Sequence, residues 1–323
     1  MTQRIIYTCP FVPAEWIAAH GFQPSRILPH ASAGEPKLGM RSGICSYARA
    51  FANAALSEEN AAAIIVTTLC DQMRRVSELL EQNTTRPLFL MNVPHTSETP
   101  NAQKLYASEL QRLGRFLIRL GGKTPSNDLL ADVISEYNAE RSIITKMRTT
   151  LSARAYSELI AHFNRHATIP PQTPAKTSGV PIGLIGGPLL KEHFDIFDMI
   201  EKAGGYISLD GTETGERTMP EQFDHRAMKE DPFSALTNAY FNIPDAARRP
   251  NTALYQWLKT KVDERRLKGI ILIRHLWCDT WHAESQRIKE FLSIPLLDLD
   301  ITEDATDMNR KLTRVEAFME MLK

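Results

Sequence analysis

Short apolar runs, each cut off at a polar corner and followed by an amphipathic stretch, recur along this chain. The clearest is residues 63–75, AIIVTTLCDQMRR. Its apolar and β-branched core, residues 64–67, is the pattern of a strand covered on both faces. The run stops at Leu69-Cys70-Asp71, where helical spacing begins and Asp71 is placed to cap the helix. Residues 270–284, IILIRHLWCDTWHAE, repeat the plan with Cys278-Asp279 at the corner. In an open parallel sheet, ligands bind at the loops that follow the strands. Two strand–Cys-Asp–helix corners, one in each half, predict one shared site fed from two sheets.

The same reading extends to both sides. Residues 4–8 read as a strand, Cys9 to Pro13 as its turn, and Pro13-Ala14-Glu15 as the first turn of a helix ending near Gly21. Glu15 is then either a helix-start acid or a catalytic one. Residues 26–28 form a candidate strand and 30–42 a polar loop. Cys45-Ser46-Tyr47-Ala48-Arg49 opens an Ala-rich helix to about residue 56. After the Cys70 corner comes a helix to about residue 82, and then a strand at 87–91 that leads to His95.

Residues 101–166 are predicted to be helical, in three pieces. Leu105, Leu110, Leu113, Phe116, Leu117 and Leu120 form the apolar stripe of the first. Glu140 and Arg141 fall on what reads as a solvated face. Residues 169–179, IPPQTPAKTSG, can continue neither a helix nor a central strand and form the linker.

Beyond it come a strand at 180–185, a Gly186-Gly187-Pro188 turn, a helix to 203 and a strand at 206–209. The Gly pair is a weak phosphate signal, since no Walker pattern follows. Residues 212–226 read as a polar excursion and 245–250 as a loop. A helix to 266, the strand 270–273 with its Cys278 corner, a strand at 294–297 and a helix at 308–322 complete the chain. The two halves share one order of elements. That predicts an α/β fold of two doubly wound units: residues 1–168, with the helical layer 101–166, and residues 180–323.

Composition narrows the partners. Lys+Arg and Asp+Glu both number 38, for a formal net charge of 0, which argues for neither nucleic acid nor an anionic membrane surface. No apolar run reaches membrane-spanning length, and the N-terminus lacks the layout of a signal peptide. The expected location is cytoplasmic.

There are four cysteines: Cys9, Cys45, Cys70 and Cys278. A reducing compartment disfavours disulfides, and no C-x-x-C pair supports a zinc ribbon or thioredoxin-like motif. They are either small buried hydrophobes or metal-binding thiols. Each lies at a strand edge or helix start and not inside an apolar stripe, and a thiol at a helix N-terminus, as at Cys45, is polarised toward thiolate. Arg49, one turn after Cys45, reads as a stabiliser of a bound anionic group or as a surface ion pair. Ser46, Arg49 and His95 are the candidate catalytic side chains; none stands out.

These pieces resemble the 2-hydroxyacyl-CoA dehydratase and benzoyl-CoA reductase subunit family over nearly the whole length. The resemblance rests on Pro13-Ala14-Glu15 to Gly21, on Cys45-Ser46-Tyr47-Ala48-Arg49, and on Thr67-Thr68-Leu69-Cys70-Asp71 with Arg74. It continues through residues 138–141, Ile200-Glu201 to Gly205, residues 269–273, Trp277-Cys278-Asp279 and Thr313-Arg314-Val315-Glu316-Ala317-Phe318.

It implies two Rossmann-like α/β domains and a [4Fe-4S] cluster held by Cys45, Cys70 and Cys278, with the fourth iron open. It also implies one-electron radical elimination of water from an acyl-CoA thioester, a lyase reaction. The implied partners are a paralogous subunit in a heterodimer, or a second copy in a homodimer, and a separate ATP-dependent activator protein. Cys9 stands beside the site as a neighbour or an additional ligand. A reductase of the same family, acting on an aromatic acyl-CoA or of the double-cubane type, is the alternative. So is a non-catalytic subunit that binds a cluster or zinc only structurally.

Overall fold

A computed structural model describes residues 2–31, 43–175, 178–302 and 308–323. Most of the predicted loop 30–42 therefore lies outside the described residues.

The first sheet contains β1 (Arg4–Tyr7), β2 (Gln23–Arg26), β3 (Ala61–Thr67) and β4 (Leu88–Met91), in the order β2-β1-β3-β4. The second contains β5 (Val180–Gly186), β6 (Gly205–Gly211), β7 (Gly269–His275) and β8 (Leu296–Ile301), in the order β6-β5-β7-β8. Every pairing is parallel. The halves thus carry the same doubly wound topology, α/β with helices flanking each sheet. Ile64, Ile65 and Val66 of β3 and Ile270 to Ile273 of β7 are buried, as strands covered on both faces must be.

The crossovers of the first unit are α1 (Ala14–Ala19), α2 (Ser46–Ser57) and α3 (Asp71–Asn83). A helical layer follows: α4 (Pro100–Arg119), α5 (Asn127–Met147) and α6 (Ala153–His166). Thr99, Ser126 and Ser152 cap these three helices by accepting backbone N–H bonds. The second unit adds α7 (Asp195–Lys202), α8 (His225–Glu230), α9 (Pro232–Phe241), α10 (Thr252–Arg265), α11 (Asp279–Phe291) and α12 (Met308–Met321).

Several local expectations are corrected. The strand expected at 26–28 lies earlier, at β2. The one expected at 294–297 runs on to Ile301, because Arg274 of β7 neutralises the two acids that seemed to end it. Its Nε lies 3.0 Å from Asp298 and its Nη1 2.6 Å from Asp300. Leu105 is not in the apolar stripe but 62% exposed, and Tyr106 takes the inward position. Arg141 is not on a solvated face. It is buried against Glu15 of α1, 2.5 Å away, and the Tyr240 hydroxyl of α9. Glu15 is therefore half of a buried ion pair, since Tyr240 also donates to it at 2.6 Å.

Residues 212–226 are not a solvated excursion either. Thr212, Thr214, Arg217 and Thr218 are buried there. The helices α8 and α9 were not anticipated, and they pack on α4 and α5. The Gly186 turn serves a close approach. A Cβ on Gly186, whose φ is +142°, would lie 1.8 Å from the Ile273 carbonyl oxygen, so only glycine fits there.

Candidate cysteine-lined active site

In both sheets the strand order reverses between the first and third strands, so a crevice opens at their carboxyl ends. The residues there come from Thr8-Cys9 after β1, Leu69-Cys70 after β3, Pro188 after β5 and His275 to Cys278 at the end of β7. Together with the start of α2 they surround one cavity of about 180 Å³. All four cysteines line it. Elements far apart in sequence deliver them, so the fold alone brings them to one place.

Cys45, Cys70 and Cys278 are the N-caps of α2, α3 and α11. Asp71 is correspondingly the first helical residue rather than the cap, and its side chain is exposed. Burial pushes the Cys45 thiol up to about 11 and those of Cys70 and Cys9 up to about 12, and it raises Cys278 as well. Nearby backbone N–H groups pull the other way: Ala48 and Tyr47 at Cys45, Met73 at Cys70, Trp281 at Cys278. No sulfur makes a formed capping bond. Thr280 lies 3.5 Å from the Cys278 sulfur. The free thiols are thus protonated at neutral pH, and a cation entering the cavity displaces those protons.

The other candidates divide. His95 lines the cavity. Its Nδ1 lies 3.0 Å from the Ala247 carbonyl, an acceptor, so Nδ1 carries the proton and Nε2 keeps its lone pair. Arg49 and Ser46 do not line it. Ser46 instead braces it: its hydroxyl lies 2.7 Å from His275 Nδ1, while His275 Nε2 lies 2.8 Å from the Pro188 carbonyl. The Pro188 contact fixes the proton on Nε2, so Ser46 donates to Nδ1. Burial, with His193 alongside, pushes His275 down to about 3. This bond ties α2 of the first unit to β7 of the second.

The sequence reading missed Glu213 and Asp245, both of which line the cavity. Arg217 holds Asp245 at 2.9 Å. The Glu213 main chain is clamped. Its carbonyl accepts from Arg26 Nη2 of β2 at 2.7 Å and from Thr218 Oγ1 at 3.1 Å, and its N–H donates to the Gly187 carbonyl at 3.3 Å. The carboxyl oxygens of Glu213 accept no hydrogen bond from the described residues. Burial and Asp245 raise this carboxyl to about 7, against the opposing pull of Arg26 and Arg217. An acid inside a Thr- and Gly-rich polar stretch gives no periodic signal. The signal available was that Glu213 follows the Asp210-Gly211 end of a strand.

No Lys or Arg among the described residues lines the cavity. Four thiols and the acids Asp71, Glu213, Asp245 and Asp279 thus line a common space, with Asp245 paired directly to Arg217 behind the wall, a donor set suited to a cationic group. A single ion needs each thiolate about 2.3 Å away. Among the described residues, no three His, Cys, Asp or Glu side chains stand together in that way. A cluster places each thiolate on a different iron, so its ligands surround a cavity rather than a point. By donor chemistry the residues present fit an iron–sulfur group.

A family model described as 2-hydroxyglutaryl-CoA dehydratase, D-component, matches residues 9–322. The chain is similar to a protein of Escherichia coli (strain K12) named "Putative dehydratase subunit YjiM". It is 23% identical to it over 292 residues, which are 80% of this chain and 74% of the relative. Among solved structures, it is similar to the SBP FpvC from Pseudomonas aeruginosa in complex with Mn2+, at 10% identity and a TM-score of 0.28, covering 99% of this chain and 100% of that one. It is also similar to the laminin-binding protein Lbp of Streptococcus pyogenes, at 13% identity and a TM-score of 0.25, with both chains fully covered. Likenesses at these scores carry no argument. No described helix is long and apolar enough to cross a membrane.

Proposed function

The chain belongs to the 2-hydroxyglutaryl-CoA dehydratase D-component family, and on that premise we propose that it is the iron–sulfur subunit of a 2-hydroxyacyl-CoA dehydratase-like lyase. Cys45, Cys70 and Cys278 hold a [4Fe-4S] cluster in this reading, and Cys9 is its neighbour without ligating it. The observation that supports it is the meeting of all four cysteines in one cavity that no Lys or Arg of the described residues lines. When bound, the cluster supplies a Lewis-acidic iron and single-electron chemistry that no side chain can provide.

The chain's own residues do the rest. The N-termini of α2, α3 and α11 turn their backbone N–H groups toward the sulfurs and favour thiolates. The Ser46–His275–Pro188 relay fixes the wall between the two sheets. Leu69, Met73 and Trp281 line the cavity with apolar surface that keeps water out. Elimination takes a proton from the β carbon and hydroxide from the α carbon, and the two leave as water. A carboxyl raised to about 7 suits that transfer near neutral pH, and Glu213 Oε is free to make it. His95 Nε2, at the rim, is the second group able to accept a proton.

The partners in this reading are an acyl-CoA substrate, a paralogous subunit or a second copy of the chain, and an ATP-dependent activator protein that delivers the electron. The division into residues 1–168 and 180–323 joined by 169–179 belongs to the same proposal. The test is anaerobic turnover of 2-hydroxyacyl-CoA thioesters. Formation of the 2-enoyl product only when the ATP-dependent electron donor is present supports the dehydratase reading. Net reduction of an acyl-CoA by the same preparation would replace it with the reductase.

A further inference from the structure

The cavity lined by the four cysteines, in which the proposed substrate reacts, is also lined by Glu213 and Asp245. The Glu213 carboxyl is clamped through its main chain by Arg26 of the opposite sheet and by Thr218, yet its oxygens accept no hydrogen bond from the described residues. Asp245 differs, because Arg217 neutralises it at 2.9 Å. Asp71 and Asp279 also line the cavity but are exposed to solvent, so Glu213 is the more enclosed acid whose carboxyl makes no direct ion pair with the described residues. Leu69, Met73, Ala247 and Trp281 supply apolar lining to the same cavity. Apolar surface around such a carboxylate receives a neutral chain well. It repels a second carboxylate, because like charges a few ångströms apart in a partly dry site oppose each other strongly.

We propose that this chain's site takes acyl-CoA thioesters whose acyl group is short and uncharged, and discriminates against those ending in a free carboxylate, with Glu213 as the discriminating residue. The proposal rests on the acyl-CoA reading given above and narrows it. A 2-hydroxyacyl chain that ends in methyl or another neutral group fits; a dicarboxylic chain such as glutaryl does not. The selection works through repulsion, since the site contains an element that makes the wrong substrate worse.

The test uses the anaerobically reconstituted full-length chain and three thioesters that lack the 2-hydroxyl and are therefore bound but not converted. Valeryl-CoA ends in methyl, glutaryl-CoA in carboxylate, and the amide of glutaryl-CoA in a neutral carbamoyl group. Dissociation constants are read by calorimetry at pH 8. The wild-type chain is expected to bind valeryl-CoA and the amide at least about tenfold more tightly than glutaryl-CoA. In Glu213→Gln the gap between glutaryl-CoA and its amide should close to within about threefold. The amide comparison needs no variant, so it stands even where Glu213→Gln fails to fold. Glutaryl-CoA binding as tightly as its amide in the wild type overturns the proposal and leaves the acyl-CoA reading intact. A gap that persists unchanged in a folded Glu213→Gln removes Glu213 as its cause and equally overturns it. Failure of all three thioesters to bind sinks the acyl-CoA reading, and this inference with it.

Discussion

Glu15 and Arg141 show how one pair can hold distant elements together. Both are buried, at 0% and 8% exposure, and the Tyr240 hydroxyl completes their hydrogen bonding. Replacing Arg141 by Met leaves a buried carboxylate unpaired, and such a loss costs about 3–5 kcal/mol. Replacing Glu15 by Gln at the same time should recover part of that loss. Denaturant unfolding of the single and double variants checks this. A folded Arg141→Met chain within about 1 kcal/mol of wild type would contradict it. Arg141 could not be placed from the sequence. Its neighbours at 140 and 142 are polar, and the partner that buries it lies 126 residues away. Glu213 escaped notice for the same reason, since its clamp on Arg26 spans 187 residues. Cysteines at strand ends were legible, because strand and helix periodicity fixes a corner locally.

At the scale of elements, the turn from β7 into α11 carries strain. Trp277 sits at φ +74° and is 56% exposed, a backbone state that costs a bulky residue roughly 1–2 kcal/mol. Relief of that strain should make Trp277→Gly more stable than Trp277→Ala by about 1 kcal/mol, the reverse of the usual order. Thermal or denaturant melts of the two variants decide it, and an Ala variant that is the more stable would refute the strain.

The histidine at the end of β7 predicts a pH dependence. His275 is held neutral, its value lowered from 6.5 to about 3 chiefly by burial, with His193 beside it. Between those values the unfolded chain binds a proton that the folded chain refuses. Stability from this group is therefore complete above pH 6.5 and falls as pH drops toward 3, by about 2 kcal/mol at pH 5. His275→Asn should flatten that loss when unfolding is compared at pH 7 and pH 5. Identical pH slopes in the two proteins would contradict it.

The apolar strands were legible because both of their faces are buried. β8 was read too short because Asp298 and Asp300 look like a strand end until Arg274 is placed beside them.

Across the whole molecule, two sheets of the same order bring their switch points together. Ser46 with His275 and Arg26 with Glu213 join the two sides of the cavity. Repetition of the element order made this architecture readable before any contact was known. The contribution of α8 and α9 to the layer around α4 and α5 was not readable, since it depends on a chain returning across the linker to complete an apolar surface.

The claim on which the functional reading turns is that Cys45, Cys70 and Cys278 carry the cluster and Cys9 does not. It is tested most directly by iron and sulfide content of four variants, each of these cysteines to Ala, prepared side by side without oxygen. The account predicts that the Cys45, Cys70 and Cys278 variants lose their iron, because two remaining thiolates do not retain a labile cluster, while Cys9→Ala keeps it. Full iron in any of the first three, or iron lost from Cys9→Ala, would contradict the assignment.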